Sequence, residues 1–99
     1  MTPQYTQRKR ISGYRHPPNT RYCGRGTIYG NPFVIGEITR TEAVTLYAEK
    51  LDIIAANLGM TLVEFLSPLL AYSYLSCFCA PGDLCHVKDV LIPKLAALL

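Results

Sequence analysis

The stretch that decides the fold is Tyr72-Ser73-Tyr74-Leu75-Ser76-Cys77-Phe78-Cys79, an apolar and aromatic run that Pro81-Gly82 follow closely. Such a run in front of a Pro-Gly turn is typical of a buried β-strand. Successive side chains of a strand point to opposite faces, so Cys77 and Cys79 share one face and Phe78 occupies the other. The sequence therefore predicts a core strand that ends in a tight turn.

The segment after this turn, Val87 to Leu99, is helical in composition. Pro93 lies in the middle of it, and a proline costs about 3 kcal/mol in a helix interior. We therefore expect the C-terminal helix to be kinked or split at Pro93.

Two helices are predicted in front of the strand by the capping boxes Thr39-Arg40-Thr41-Glu42 and Thr61-Leu62-Val63-Glu64. In this motif the threonine and glutamate side chains satisfy free N–H groups of the first helical turn. The first box opens an amphipathic helix that Gly59 ends, and the second opens a short helix that Ser67-Pro68 ends or kinks. The apolar residues of the first helix recur at helical spacing, at Val44, Tyr47, Leu51, Ile54, Ala55 and Leu58.

The N-terminal third is predicted to contain short strands and loops. Residues 1–6 are expected to be a frayed end, and Arg8 to Ser12 to form a short strand with Ile11 facing inward. Arg21-Tyr22-Cys23 is expected to form another short strand, and Phe33-Val34 to return to an extended segment. Because strands alternate with helices, we predict an α/β fold, a small sandwich with one short sheet and about three helices. A length of 99 residues suits a single domain, residues 1–99.

The composition argues against a membrane or exported protein. The longest apolar stretch, Leu62 to Cys79, is broken by Glu64 and by Ser67-Pro68, whereas a membrane span needs about 20 predominantly apolar residues. No apolar segment follows the basic cluster near the N-terminus, so no secretory signal is expected. The four cysteines are therefore expected to be reduced thiols in the cytoplasm.

The charge is unevenly distributed along the chain. Residues 1–40 carry seven basic side chains and one acidic one, a net charge of +6, whereas residues 41–99 carry a net charge of −3. This asymmetry indicates either an anionic partner for the first half or a solvated basic face that pairs with the acidic half.

The segment from Cys77 to His86 contains three of the four cysteines and one of the two histidines. One interpretation is a zinc site, because zinc takes four sulfur and nitrogen ligands in a tetrahedron. The spacing departs from the usual C-x2-C pairs of structural zinc sites, since one pair is C-x-C and the other two residues are adjacent. The zinc ligands would be Cys77, Cys79, Cys85 and His86.

Two other interpretations of this segment do not involve a metal. In the first, Cys79 or Cys85 is a thiolate beside the start of a helix, and His86 acts as a base or contacts an anion. In the second, the cysteines are small buried hydrophobic residues, which is the expectation for Cys77.

The loop Gly24-Arg25-Gly26 with Gly30-Asn31-Pro32 is a candidate anion site. Glycines allow the backbone to approach a phosphate, and arginine binds phosphate with two parallel hydrogen bonds. It matches neither the Walker nor the Rossmann pattern, because no helix opens directly after it. The alternative is a glycine-rich surface turn with a solvated arginine.

Three blocks of the sequence together resemble a known family. They are Cys23-Gly24-Arg25-Gly26 with Tyr29-Gly30-Asn31-Pro32-Phe33-Val34-Ile35-Gly36, then Thr41-Glu42-Ala43-Val44, and finally Cys77-Phe78-Cys79-Ala80-Pro81 with Cys85-His86. The chain resembles domain-of-unknown-function family 4326, a small phage and bacterial family with G-R … W/Y-G-N-P-F, T-R-x-E-A-V and C-x-C-A-P … C-H blocks. The resemblance covers about residues 20–95. One departure is Val87-Lys88, which replaces the small and acidic residues that usually follow Cys-His in the family.

The resemblance implies positions rather than a reaction, because the family has no assigned activity. Its two polar blocks correspond to Arg25, Gly30 and Asn31, and to Cys79, Cys85 and His86. We infer that these blocks meet at one end of the sheet and form a single pocket. The resemblance also implies a phage or mobile-element protein that acts in the host cytoplasm.

The favoured hypothesis is a pocket for a nucleotide-like or other phosphate-bearing small molecule, with or without turnover and without a cofactor. Arg25 and the loop amides would hold the anion, and Cys85-His86 would complete the site. The expected ligand-binding residues are Arg25, Gly26, Tyr29, Gly30, Asn31, Cys79 and Asp83, and the candidate catalytic residues are Cys85 and His86.

The sequence is also compatible with two functions other than binding of a small phosphate-bearing ligand. One is a nucleic-acid or host-protein binding module, because Tyr5, Tyr14 and Tyr22 lie between the early arginines and allow base stacking beside phosphate contacts. The other is a structural zinc domain.

Overall fold

The computed structural model describes residues 2–33 and 36–98, which form three strands, three α-helices, a 3-10 helix and a π-helix. The strands are β1 (Gln4–Gln7), β2 (Thr20–Tyr22) and β3 (Tyr74–Cys77). The helices are α1 (Arg40–Asn57), α2 (Leu62–Leu66), the 3-10 helix (Ser67–Ala71), the π-helix (Val87–Leu91) and α3 (Ile92–Leu98). The predicted α/β class, with one short sheet and about three helices, is confirmed.

The sheet has the strand order β1-β3-β2, and both outer strands run parallel to β3. The predicted core strand is therefore the central one, although it covers Tyr74–Cys77 rather than residues 72–79. Parallel neighbours need a long crossover connection, and α1, α2 and the 3-10 helix lie in the connection from β2 to β3. As a consequence, the carboxyl ends of all three strands lie at the same edge of the sheet.

The N-terminal residues differ from the prediction. Of residues 1–6, predicted to be a frayed end, Met1 lies outside the described residues, whereas Gln4–Gln7 forms β1 and pairs with β3 along its whole length. The predicted strand from Arg8 to Ser12 is also wrong, and the side chain of Ile11 is 64 % exposed. The side chains of β1 are mostly polar and do not indicate a strand. The strand forms because its backbone N–H and C=O groups pair with those of β3, and this pairing does not depend on side-chain type.

Two further predictions concern the segments before α1. The short strand predicted at Arg21-Tyr22-Cys23 is confirmed with a shift of one residue, as Thr20–Tyr22. Of the predicted extended segment Phe33-Val34, Val34 lies outside the described residues.

Both predicted capping boxes are confirmed. At the start of α1, the Glu42 backbone N–H donates to the Thr39 hydroxyl at 3.1 Å, and the Thr39 backbone N–H donates to the Glu42 carboxylate at 3.1 Å. Thr61 and Glu64 make the same pair of bonds at the start of α2. Gly59, with φ at +75°, follows the end of α1 in the left-handed region that glycine adopts without strain.

The C-terminal helix changes its pitch where the sequence predicts a kink or split. The Ile92 backbone N–H donates to the Val87 carbonyl, an i→i+5 bond that closes the π-helix, and α3 follows from Ile92. Pro93 has no N–H to donate to the carbonyl of Asp89, and its ring would crowd that carbonyl in an ordinary α-turn. The wider π-turn directly precedes the proline.

The helices pack on the sheet face to which Leu75 and Cys77 point. This face forms one hydrophobic cluster with the buried sides of the helices, and its largest fully buried members are Tyr47, Phe65, Leu51, Leu66, Leu69, Leu91 and Leu95. Among the residues that the structure describes, no single helix has the length and apolarity of a membrane span. Helices Arg40–Asn57 and Leu62–Ala71 reach that threshold only as a pair, with a bend of 96° between them.

Candidate functional site

A small cavity of about 90 Å³ lies at the carboxyl edge of the sheet. The chain leaves β2 and reaches Arg25, and it leaves β3 and reaches Cys79, so both residues stand at this edge. Ligands of open parallel sheets bind in this position, outside the carboxyl ends of the strands. The cavity is lined by Arg25, Asn31, Phe33, Arg40, Ala43, Val44, Cys77, Cys79, Leu84, Cys85 and His86.

Two arginines make the cavity basic. Arg25 comes from the glycine loop, and Arg40 is the first residue of α1. The Arg40 Nη1 donates to the Leu84 carbonyl at 3.2 Å and lies 3.5 Å from the Cys79 Sγ. None of the described residues that line the cavity is an aspartate or glutamate. Arg40 is not among the predicted site residues, although its place inside the first capping box is a signal that puts it at a helix start.

Three thiols meet at the floor of the cavity. The Sγ atoms of Cys77, Cys79 and Cys85 all lie within 4.8 Å of one another, and those of Cys77 and Cys79 are 3.9 Å apart. The prediction that Cys77 and Cys79 share one face is confirmed by this contact. All four cysteines of the chain are free thiols, and the three clustered ones could hold a metal ion. Cys77, expected to be only a core residue, also lines the cavity.

Within this cluster, a negative charge is most favourable on Cys77. A hydrogen bond from Cys85 lowers the pKa of Cys77, and the same bond together with burial raises the pKa of Cys85 to about 11. Burial and the neighbouring Cys85 raise the pKa of Cys79. These directions oppose the interpretation of Cys79 or Cys85 as the reactive thiolate.

His86 contacts the backbone of Cys23 and also the Cys85 thiol, whose pKa its hydrogen bond lowers against the larger raising effects of Cys77 and burial. Its Nε2 lies 2.8 Å from the Cys23 carbonyl, so that nitrogen carries a proton and donates it. The imidazole is buried, with 6 % exposure, and packs edge-on against the ring of Tyr47 at 5.0 Å. The ring nitrogens of His86 are not part of the thiol cluster. Of the four predicted zinc ligands, the structure therefore groups Cys77, Cys79 and Cys85 and leaves His86 outside that group.

The side-chain amide of Asn31 holds the glycine loop in place. Asn31 lines the cavity, but its Nδ2 donates to the Ala43 carbonyl at 3.0 Å and its Oδ1 accepts from the Phe33 backbone N–H at 2.9 Å. Gly30 is needed for close packing, since a Cβ there would lie 2.8 Å from the Gly24 carbonyl oxygen. Asn31 therefore fastens the loop that carries Arg25 to the start of α1, and Gly30 allows close packing within that loop.

Four of the predicted ligand-binding residues lie outside the cavity, and Gly30 of the glycine loop is one of them. Tyr29 is a core residue with 3 % exposure, and its hydroxyl donates to the Phe65 carbonyl at 2.7 Å. Gly26 is exposed, with φ at +90°, and does not line the cavity. Asp83 is exposed in the turn that its N–H closes with the Ala80 carbonyl at 2.9 Å.

The family model described as "Domain of unknown function (DUF4326)" matches residues 6–96. The chain belongs to this family. The resemblance drawn from the three sequence blocks is confirmed over a longer stretch than residues 20–95. Comparison with curated proteins and with solved structures gives no match. In this DUF4326 protein, residues from both polar blocks line one cavity.

A second feature of this DUF4326 protein lies on the other face of the sheet, where Tyr22 and Phe78 meet edge to face at 5.7 Å. The guanidinium of Arg8 lies 4.9 Å from the centre of the Tyr22 ring, and that of Arg10 lies 4.1 Å from the centre of the Phe78 ring. Among the described residues, the ion pair found is Lys88 with Asp89, so these arginines are not neutralised by a carboxylate. We call these four residues the arginine–aromatic surface.

Proposed function

We propose that the cavity binds the phosphate group of a small phosphate-bearing ligand. The observation that carries this proposal is the pair Arg25 and Arg40 in a cavity whose described lining has no carboxylate. Guanidinium groups bind phosphate oxygens with charge-assisted, bidentate hydrogen bonds.

The volume of the cavity limits how much of a ligand can enter it. About 90 Å³ is roughly the volume of three water molecules, at about 30 Å³ each. Pockets that enclose a drug-sized molecule measure about 300 Å³ or more. We therefore propose that a phosphate group enters the cavity while the remainder of the ligand, such as a nucleoside, lies outside it beside the exposed Arg25.

The proposal is for binding rather than turnover, and it requires no cofactor. The proposal gives Cys85 and His86 no catalytic role, because both are buried, with 1 % and 6 % exposure. We place the protein in the cytoplasm, in line with four free thiols, and in the host cytoplasm if a phage encodes it.

Titration calorimetry on chelator-treated protein with phosphate, pyrophosphate and a panel of nucleotides tests the proposal. Wild type is expected to bind phosphate-bearing compounds and not the matching nucleosides. Arg25→Gln and Arg40→Gln should each weaken binding at least about tenfold, since a hydrogen bond to a charged group contributes about 1.5–3 kcal/mol. Arg15→Gln is the matched control, because Arg15 is exposed and does not line the cavity. Failure of every compound to bind would overturn the proposal.

A second candidate is binding of single-stranded nucleic acid by the arginine–aromatic surface. Bases stack on aromatic rings and on guanidinium planes, while arginines contact the phosphates. Of the tyrosines predicted to stack on bases, Tyr22 belongs to this surface. Tyr5 does not, because its hydroxyl donates to the carbonyls of Cys77 and Cys79.

The salt dependence of oligonucleotide binding tests this second candidate. The affinity for the oligonucleotide should fall steeply as the salt concentration rises. The double variant Arg8→Gln/Arg10→Gln should make this fall less steep, by the amount expected for the loss of about two phosphate contacts. The absence of binding at low salt would reject the nucleic-acid form and leave a host protein as the partner to seek.

A further inference from the structure

Three sulfur atoms near the cavity have the spacing that a tetrahedral metal ion imposes on its ligands. Zinc–sulfur bonds of about 2.3 Å in a tetrahedron place neighbouring sulfurs roughly 3.8 Å apart. The Sγ atoms of Cys77 and Cys79 are 3.9 Å apart, and that of Cys85 lies within 4.8 Å of both. Only a shift of Cys85 by about an ångström or less is needed to complete the three corners.

The backbone contacts around the thiols hold them in this arrangement. The hydroxyl of Tyr5 donates to the carbonyls of Cys77 and Cys79 and so ties the end of β3 to β1. The Cys85 backbone N–H donates to the Asp89 carboxylate at 2.8 Å, and Lys88 pairs with that carboxylate at 3.0 Å. These contacts do not involve the sulfurs, so the thiols are placed by the fold itself, which is the condition for a pre-organised site.

The surroundings of the cluster balance the charge of bound thiolates. Three thiolates and one divalent cation carry a net charge of −1. The Arg40 Nη1 lies 3.5 Å from the Cys79 Sγ, and Arg25 lines the same cavity. Positive donors next to ligating sulfurs stabilise the thiolate form and tune the metal.

The fourth coordination position has no protein ligand among the described residues. His86 is held by the Cys23 carbonyl, and no further histidine, cysteine, aspartate or glutamate joins the three thiols. All three cysteines line the cavity, so the open position faces it. Three protein ligands with one open position are the arrangement of reactive zinc sites, whereas structural sites use four.

We infer that Cys77, Cys79 and Cys85 form a three-thiolate site for Zn²⁺ whose fourth position is open to the arginine-lined cavity. Thiolates select zinc over hard cations such as Mg²⁺ and Ca²⁺. The inference does not depend on phosphate binding. The open position would take water or an anion.

Metal titration of untagged, reduced and chelator-treated protein tests the inference. One equivalent of Zn²⁺ should bind in competition with a chromogenic chelator, and Co²⁺ should give the intense thiolate-to-metal absorption of a site with three sulfurs. Cys77→Ser, Cys79→Ser and Cys85→Ser should each lower the zinc affinity at least tenfold and weaken the Co²⁺ band. Circular dichroism of each variant separates loss of a ligand from loss of the fold, and the Co²⁺ spectrum of the wild type remains decisive if a variant does not fold.

Cys23→Ser is the matched control, since Cys23 is the remaining cysteine and its Sγ faces the Arg21 carbonyl at 3.6 Å. It should bind zinc as the wild type does. His86→Gln tests instead for a fourth protein ligand. Less than about half an equivalent of zinc on the wild type, or unchanged affinity in all three cluster variants, would overturn the inference. A zinc affinity that falls in His86→Gln while its fold is intact would replace it with a four-ligand structural site. The phosphate titrations use chelator-treated protein without metal, so their result tests phosphate binding independently of all these zinc outcomes.

Discussion

At the scale of single residues, hydrogen-bond partners separate the side chains that face the cavity from those that support its walls. Arg25 is exposed at the cavity, and Arg40 reaches into it from the first turn of α1. Asn31 has the residue type of a ligand contact, but its amide is used by Ala43 and Phe33. His86 likewise has the residue type of a base, and its Nε2 is used by a carbonyl.

Gly30→Ala is expected to destabilise the protein and to displace the loop that carries Arg25. The added Cβ would lie 2.8 Å from the Gly24 carbonyl oxygen and 3.1 Å from the Arg25 Cα, and neither backbone atom can move away alone. Overpacking of this kind costs about 1–3 kcal/mol in the free energy of unfolding. Urea unfolding measures this loss, and phosphate titration measures the accompanying loss of affinity.

Gly82→Ala provides the comparison for that experiment. A Cβ at Gly82 meets no atom within 4 Å, so the free energy of unfolding should change by no more than about 0.5 kcal/mol. If the two variants have equal free energies of unfolding, the close contact between Gly30 and Gly24 does not restrict which side chain the loop can accept at position 30.

At the scale of the elements, the helices follow local signals closely. The capping boxes at Thr39 and Thr61 start α1 and α2 where the sequence predicts, since the bonds that cap a helix join residues three apart. Pro93 likewise acts through the turn directly before it, where the π-helix ends. The short strands β1 and β2 have no such local signal and depend on pairing with β3.

Acidification is expected to weaken the capping boxes. Hydrogen bonds from the Thr39 and Thr61 backbones lower the pKa of Glu42 and Glu64 below the ordinary value of 4.5. Since the folded pKa lies below the unfolded one, this contribution to stability is complete above the unfolded pKa and is lost as the pH falls through the folded pKa. Urea unfolding between pH 7 and pH 3 should show a smaller loss for Glu42→Gln than for wild type.

Glu49→Gln is the matched control for this pH experiment, because Glu49 is exposed on the same helix and outside the capping box. It should retain the pH dependence of the wild type. If Glu42→Gln also retains it in full, the box does not contribute through its carboxylate. Thr39→Ala, which removes the capping hydroxyl, should cost about 0.5–2 kcal/mol at pH 7.

At the scale of the whole molecule, strand β1 connects the N-terminal part of the chain with the thiol cluster near the C-terminal part. β1 pairs with β3 from Gln4 to Gln7, and its Tyr5 donates to the carbonyls of Cys77 and Cys79. A strand near the N-terminus therefore supports the thiol cluster, which lies more than seventy residues away in sequence.

A chain shortened to residues 8–99 is expected to lose both stability and the thiol site. Removal of β1 leaves one edge of the central strand unpaired and releases the carbonyls that Tyr5 holds, so the free energy of unfolding should fall by more than about 2 kcal/mol. Chemical unfolding and Zn²⁺ titration measure the two effects. Gln4→Ala, at an exposed position of β1, should behave as wild type, and full stability of the shortened chain would contradict the role given to β1.

Most helices, β3 and the family could be inferred from the sequence by itself. Periodic apolar residues, capping boxes and the Pro-Gly turn are short-range signals, and short-range geometry determines where α1, α2 and β3 begin and end. The sequence blocks likewise placed Arg25, Asn31, Cys79, Cys85 and His86 together, and all five line one cavity.

Only the tertiary structure decided the position of β1, the strand order and the roles inside the site. The pairing of Gln4–Gln7 with β3, the entry of Arg40 into the cavity and the contact of His86 with Cys23 all join residues that are far apart in sequence. Local residue patterns carry no record of such contacts, because they form only when the chain closes on itself and the central strand and core select their partners.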